Sequence, residues 1–281
     1  MELQELQSMA SQVRRDIVRM VHNVQSGHPG GSLGCTDFLV ALYFKIMKHT
    51  PVPFDMDGKG QDLFFLSNGH ISPVFYSVLA RSGYFPISEL ATFRKLNSRL
   101  QGHPTTHEHL PGVRIASGSL GQGLSVASGA AYSKKLNKEE DTYVYVLMGD
   151  GELQEGQNWE AAMFAAHHKL DNLIATVDVN GQQIDGPTLN VMNISPLRAK
   201  FEAFGWEVME MEGNDMAAVL KGVDQAHGLS RKGKPVMILM HTAMGKGVDF
   251  MEGTHEWHGI APNDAQLENA LGQLTIGPGD Y

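Results

Sequence analysis

Apolar residues recur along the first segment at alternating spacings of three and four, at Leu3, Leu6, Ala10, Val13, Ile17, Met20 and Val24. That rhythm puts them on one face of a long helix. The helix is predicted to end before the turn-rich string Gly27-His28-Pro29-Gly30-Gly31-Ser32-Leu33-Gly34. A second helix is predicted over 37–47, stopping before Pro51 and Pro53, and the apolar run 62–66 reads as a short buried strand. Helices over 73–81 and 88–95 follow, then a loop rich in Gly, Pro and His over 101–118, then a helix over 121–136.

The second half of the chain alternates more regularly. Strand 143–148, helix 157–170 with Trp159, Ala162, Met163, Ala166 and Leu170 on one face, and strand 173–179 have the pattern and length of a βαβ unit. Helix 196–204, strand 206–211, helix 216–226 and strand 236–240 continue it. This alternation predicts an α/β fold, a parallel sheet flanked by helices on both faces. No linker, repeat or low-complexity stretch divides the chain, so 1–281 reads as a single domain with a long helical N-terminal portion. A domain of this size buries roughly 75% of its unfolded surface.

Composition narrows the possibilities. The net charge of -9 comes from scattered acids, and no Lys/Arg stretch interleaved with aromatics suggests a nucleic-acid face. The longest apolar run, 38–44, is far below the roughly 18 residues of a membrane span. The N-terminal segment carries early acids and does not read as a signal peptide, and the single cysteine, Cys35, excludes an internal disulfide. A cytoplasmic protein binding neither membrane nor nucleic acid is the expectation. Cys35 has no adjacent base and reads as structural.

The chain also carries 31 glycines and 13 histidines, and four pairs stand out: Gly27-His28, Gly69-His70, Gly102-His103 and His258-Gly259. Glycine permits tight turns and close approach of a ligand, and histidine supplies a neutral donor and acceptor near pH 7. Four such pairs in loop-like contexts suggest a polar pocket. The sequence His255-Glu256-Trp257-His258 lacks the spacing of a zinc-protease helix, and Gly121-Gln122-Gly123 lacks the preceding strand of a dinucleotide fingerprint.

Ligands of parallel sheets bind beyond the carboxyl ends of the strands. Asp150 follows one predicted strand between two glycines, and Asn180, thirty positions on, follows the next. A right-handed crossover brings both to one rim as a two-point oxygen site for a hard cation. Gly151 adds a backbone N–H that a phosphate can approach near a helix start. The Gly149-Asp150-Gly151 tripeptide alone equally suits a turn whose aspartate caps a helix.

The longer strings GDGELQEGQNWEAA and DVNGQQIDG, together with GHPGGSLG, LSNGH, QGHP, LPGVRIASGSLGQG and EWHGIAP, resemble the transketolase family in order and over nearly the whole chain. The resemblance implies thiamin diphosphate as cofactor, held with magnesium or another divalent cation such as Ca2+ or Mn2+. It implies Asp150, Asn180 and the main-chain carbonyl of Gln182 as metal ligands, and Gly151 as a diphosphate contact. Gly118, Ser119 and Leu120 occupy the family's Gly-Pro-Leu-Gly position, with serine in place of proline. His70 and His258 match histidines on the diphosphate or substrate side. His28 and His103 match those contacting the donor sugar's hydroxyls, and Ile184 matches an apolar residue against the thiazolium ring. His28, His103 and His258 are the implied catalytic groups.

Family members are usually more than twice this length. Their second domain supplies the glutamate that activates the cofactor, and this chain offers no candidate for it. The resemblance therefore implies the N-terminal subunit of a split transketolase. Its partner would be a C-terminal subunit carrying the pyrimidine-binding and C-terminal domains, in an α2β2 assembly acting on sugar phosphates. Glu155 resembles a residue reaching across the interface towards the activating glutamate. A related enzyme for a branched or deoxy ketose phosphate, a metal-dependent hydrolase and a non-catalytic scaffold are the competing readings. Intact cofactor motifs disfavour the scaffold.

Overall fold

A computed structural model describes residues 1–281. Five parallel strands form its sheet: β1 (Leu63–Leu66), β2 (Val144–Gly149), β3 (Leu173–Val179), β6 (Glu207–Glu212) and β7 (Val236–His241), in the order β1-β2-β3-β7-β6. The two short strands β4 (Gln182–Gln183) and β5 (Gly186–Pro187) form a separate antiparallel ladder in the segment after β3. The strands β1, β2 and β7 are nearly continuous apolar runs because both of their faces are covered, whereas the edge strand β6 carries Glu207, Glu210 and Glu212.

Alternate side chains of each strand enter different cores. Phe64, Leu66, Tyr145, Leu147, Ile174, Ile238 and Met240 join one apolar cluster with the helices α1 (Leu3–Val24), α2 (Pro29–Gly34), α3 (Thr36–Ala41) and α4 (Ser72–Arg81). Leu63, Phe65, Val144, Val146, Ala175, Val177 and Leu239 join the other, against α5 (Gly123–Leu136), α6 (Gly156–His167) and, beyond a one-turn helix α7 (Thr188–Val191), α8 (Leu197–Ala203). The first core also takes in α9 (Met216–Leu229) and α10 (Asp264–Gln273). The expected α/β fold with helices on both faces is what the chain forms.

Several elements differ from the sequence expectation. GHPGGSLG contains the short helix α2, with Pro29 at its first position, where a missing N–H costs nothing. The helix expected over 37–47 is α3 followed by a π-helical turn at Leu42–Ile46, and that expected over 88–95 is a 3-10 segment at Ile87–Thr92. Helix α10 has weak apolar periodicity and is held by a capping box between Asn263 and Gln266. The inward face of α6 is Asn158, Ala161, Ala162 and Ala165; Met163 is 53% exposed. That face is rotated from the predicted one because small alanines let the helix lie close to the sheet, and Trp159 packs from its flank against Phe201 and Phe204.

Candidate active site

The carboxyl ends of four adjacent strands open into one cleft. Asn68 and His70 follow β1, Asp150 and Gly151 follow β2, Asp178 and Asn180 end β3, and Met244 follows β7; all line a cavity of about 190 Å³. The 3-10 turn His255–His258 brings His258 to the same cavity. Sheet topology thus assembles residues from Asn68 to Met244, and the 3-10 turn adds His258.

The Gly149-Asp150-Gly151 turn is the capped turn that the sequence allowed. Asp150 caps the 3-10 turn Gly151–Gln154, accepting from Gly151 N–H at 2.7 Å, and also accepts from Gly181 N–H at 2.7 Å. Burial, with the neighbouring Asp178 carboxyl, pushes Asp150 up to about 7. Asp178 is fully buried and raised by that burial; it accepts from Thr242 Oγ1 and, at 2.7 Å, from Asn180 Nδ2. With its amide nitrogen held there, the Asn180 carbonyl oxygen accepts from Gln182 N–H at 2.9 Å.

These groups fit a hard cation. Asp150 and Asn180 present oxygens from adjacent strand ends, and the cavity wall also holds the buried acceptors Asn68 Oδ1 and Gln182 Oε1, which have no hydrogen-bond partner. An acceptor-rich pocket whose central carboxyl is held above its usual pKa favours a divalent ion that would restore its charge. Gly151 lines the cavity beside Asp150, and a Cβ there would lie 3.2 Å from Gln183 Cβ, so only glycine leaves that wall uncrowded.

All four histidines of the glycine-histidine pairs converge. The ring centroids of His28 lie 5.2 Å from His70, 5.9 Å from His103 and 5.7 Å from His258, and His70 stacks on His258 at 5.0 Å. Burial is the leading cause that lowers the pKa of each; His28 falls to about 4, with further lowering by His258, Arg94 and His103. Near pH 7 they are neutral imidazoles that can donate from one nitrogen and accept at the other. The Nδ1 atoms of His28 and His258 are buried without protein partners. Histidines outside the pairs, such as His49 and His227, bond to core tyrosines instead.

The remaining predicted residues fall into three groups. Leu120, Glu155, Gln182 and Ile184 line the cavity with His70, Gly151, Asn180 and His258. Glu155 is exposed at the N-cap of α6, and Ile184, on the β4–β5 segment, is 62% exposed at the rim. Gly118 packs against His103, where a Cβ would sit 3.5 Å from the histidine's own, whereas Ser119 is exposed and does not line the cavity.

Sequence reasoning missed Asp178, Asn68 and Glu152. Glu152 is buried, accepting from Gly121 N–H at 2.7 Å, Gly149 N–H at 3.0 Å and Ser67 Oγ, so it ties the loops after β1 and β2 to the turn before α5. The one sequence sign was an acid inside GDGELQEG that no exposed helix surface demands.

Fold and cleft define the class: an open parallel α/β sheet with its ligand site at the strand carboxyl ends. The family described as transketolase, thiamine diphosphate binding domain, matches residues 6–279. The chain is 41% identical over 271 residues to an apulose-4-phosphate transketolase subunit from Actinobacillus succinogenes, covering 96% of each. It is 38% identical over 270 residues to the 6-deoxy-6-sulfo-D-fructose transketolase subunit SqwG of a Clostridium species, again 96% of each. The solved transketolase of Campylobacter jejuni superimposes with a TM-score of 0.89 at 35% identity, over 100% of this chain and 44% of that one. The chain thus spans less than half of that transketolase. This chain belongs to the transketolase family and corresponds to its N-terminal, thiamine diphosphate-binding part.

Proposed function

We propose that this chain is the thiamin diphosphate- and magnesium-binding subunit of a two-polypeptide transketolase, transferring a two-carbon ketol unit from a ketose phosphate to an aldose phosphate. The observation that carries the reading is a cluster of four imidazoles, of which His70 and His258 line the cavity of the Asp150–Asn180 oxygen pair while His28 and His103 stand behind them with ring centroids 5.2 to 5.9 Å apart within the cluster. Asp150, Asn180 and the Gln182 carbonyl would hold the cation, and Gly151 and His70 would face the diphosphate. Leu120 and Ile184 would line the cofactor's apolar side. Thiamin diphosphate, when bound, supplies the electron sink that ketose cleavage needs.

The chain's own residues then have defined tasks. His28 and His103 orient the donor sugar by its hydroxyls, and His258 moves a proton to or from a hydroxyl oxygen at the reacting end. In this reading 1–281 is one diphosphate-binding domain, and a partner polypeptide supplies the pyrimidine-binding and C-terminal domains with the activating glutamate, towards which Glu155 points. The assembly is an α2β2 heterotetramer in the cytoplasm. Support for a partner comes from relatives that this chain matches over 96% of each length and that are themselves named as subunits.

A second reading concerns the sugar. The same relatives are named for apulose 4-phosphate and for 6-deoxy-6-sulfo-D-fructose, which favours a branched or modified ketose as donor. The reconstituted pair, assayed against a panel of ordinary, branched and sulfonated ketoses, separates the readings: a highest kcat/KM for a common ketose phosphate supports the first, and for a modified ketose the second.

A further inference from the structure

One side chain bridges the loops that carry His28 and His103. Arg94 donates from Nη1 to Ser26 Oγ at 2.9 Å and from Nη2 to the Gly102 carbonyl at 3.4 Å. Its guanidinium therefore spans from two residues before His28 to the residue before His103. The planar fork lies directly on Gly102, where a Cβ would stand 2.6 to 2.8 Å from Cζ, Nε and Nη2. At the other loop Gly27 is left-handed, at φ +147, and a Cβ there would stand 2.8 Å from the Val21 side chain and 3.4 Å from the Phe93 ring.

Arg94 is unusual in three further respects. Both of its side-chain acceptors are neutral, its Nε is buried without a partner, and its backbone is left-handed, at φ +55. An L residue holds that conformation only where the surroundings impose it. Here the bond from Arg94 N–H to Leu100 O at 2.9 Å closes the turn that carries it.

We propose that Arg94 is a positioning residue for the substrate-side wall of the cleft, holding Ser26 and Gly102 on one rigid fork and so setting the 5.9 Å separation of the His28 and His103 rings. This rests on the reading of those histidines as sugar-binding groups. The charge of the fork has a second effect, because a nearby cation opposes protonation of an imidazole. Burial first and Arg94 next lower His103; burial and His258 precede Arg94 at His28. The other titratable groups around this wall are His70 and His258, with Asp185 and His255 beyond His258, Tyr76 near Arg94 and Glu108 near Tyr76.

Histidine-labelled full-length chain, titrated by NMR, tests the inference without any turnover. In Arg94→Gln, His28 and His103 should both titrate at higher pH than in the wild type, while His227 stays in place as a reporter of an intact fold. In the reconstituted pair, kcat/KM should fall about 10- to 100-fold, as for small misplacements of reacting groups, with the acid limb of its pH profile moved to higher pH. Arg94→Lys, which keeps the charge and loses the fork, should restore the titrations but not kcat/KM, and Gly102→Ala, which pushes the fork aside, should behave like Arg94→Lys. Unchanged His28 and His103 titrations in a folded Arg94→Gln protein, or full recovery of kcat/KM by lysine, would overturn the proposal. A wild-type pair without ketol transfer would defeat the functional reading, and the titrations of the three variants would still decide the role of Arg94.

Discussion

Asp150 accepts a hydrogen bond at 2.7 Å from the backbone N–H of Gly181, 31 positions later and beyond the next strand of the sheet. The bond locks the carboxyl ends of β2 and β3 into one oxygen-lined edge. It also holds a carboxyl in a buried place beside a second one, Asp178.

The first prediction concerns pH and metal. A carboxyl raised from 3.8 to about 7 on folding holds its proton more tightly in the folded state. It favours folding below about pH 4, and that contribution is lost as pH rises towards 7, by on the order of 4 kcal/mol at about 1.4 kcal/mol per unit. The raised Asp178 acts in the same direction. Thermal unfolding should therefore show Mg2+ raising Tm markedly at pH 8 and little at pH 5. Asp150→Asn should flatten that response and abolish Mg2+-dependent cofactor binding by the assembled complex; wild-type binding would remove Asp150 from the metal site.

Glu152 is predicted to be a structural carboxylate. Replacing it by alanine leaves Gly121 N–H, Gly149 N–H and the Ser67 hydroxyl without their acceptor, at a cost of about 3 kcal/mol. Chemical denaturation should show that loss, and a change below about 0.5 kcal/mol would contradict the assignment.

Ile184 should behave in the opposite way. At 62% exposure its truncation to alanine leaves folding unchanged within about 0.5 kcal/mol. The affinity of the assembled complex for thiamin diphosphate, read by calorimetry, should fall about tenfold, the order of one lost apolar contact. Equal affinity would take Ile184 off the cofactor surface.

Gly69 sets the position of His70. A Cβ there would lie 1.6 Å from the carbonyl oxygen of Ser117, a backbone atom that cannot swing away. Gly69→Ala should cost more than about 3 kcal/mol or prevent folding, and soluble protein with a wild-type Tm would show that the two loops are not packed as described.

How far the sequence could be read follows from what each element depends on. All five sheet strands were legible, since runs such as Tyr143-Val144-Tyr145-Val146-Leu147 are apolar on both faces and bounded by polar residues. Asp150, Asn180 and the paired histidines were legible because glycine and a strand end mark them. Helix α2 was hidden by its glycines, and α10 by its weak apolar stripe. Asp178 was hidden inside an apolar strand, where it reads as an interruption rather than the support of Asn180. Arg94 was invisible because its meaning lies in two loops far from it in sequence and joined only by folding.

The central claim is that this chain supplies the cofactor's diphosphate and metal site but needs a second polypeptide for turnover. It is tested most directly by assaying ketol transfer with thiamin diphosphate, Mg2+, a ketose phosphate donor and an aldose phosphate acceptor, using the purified chain before and after adding a copurified partner that carries a pyrimidine-binding domain. The account predicts no transfer by the chain alone and turnover once the partner is present; transfer by the chain alone at the rate of the pair would contradict it.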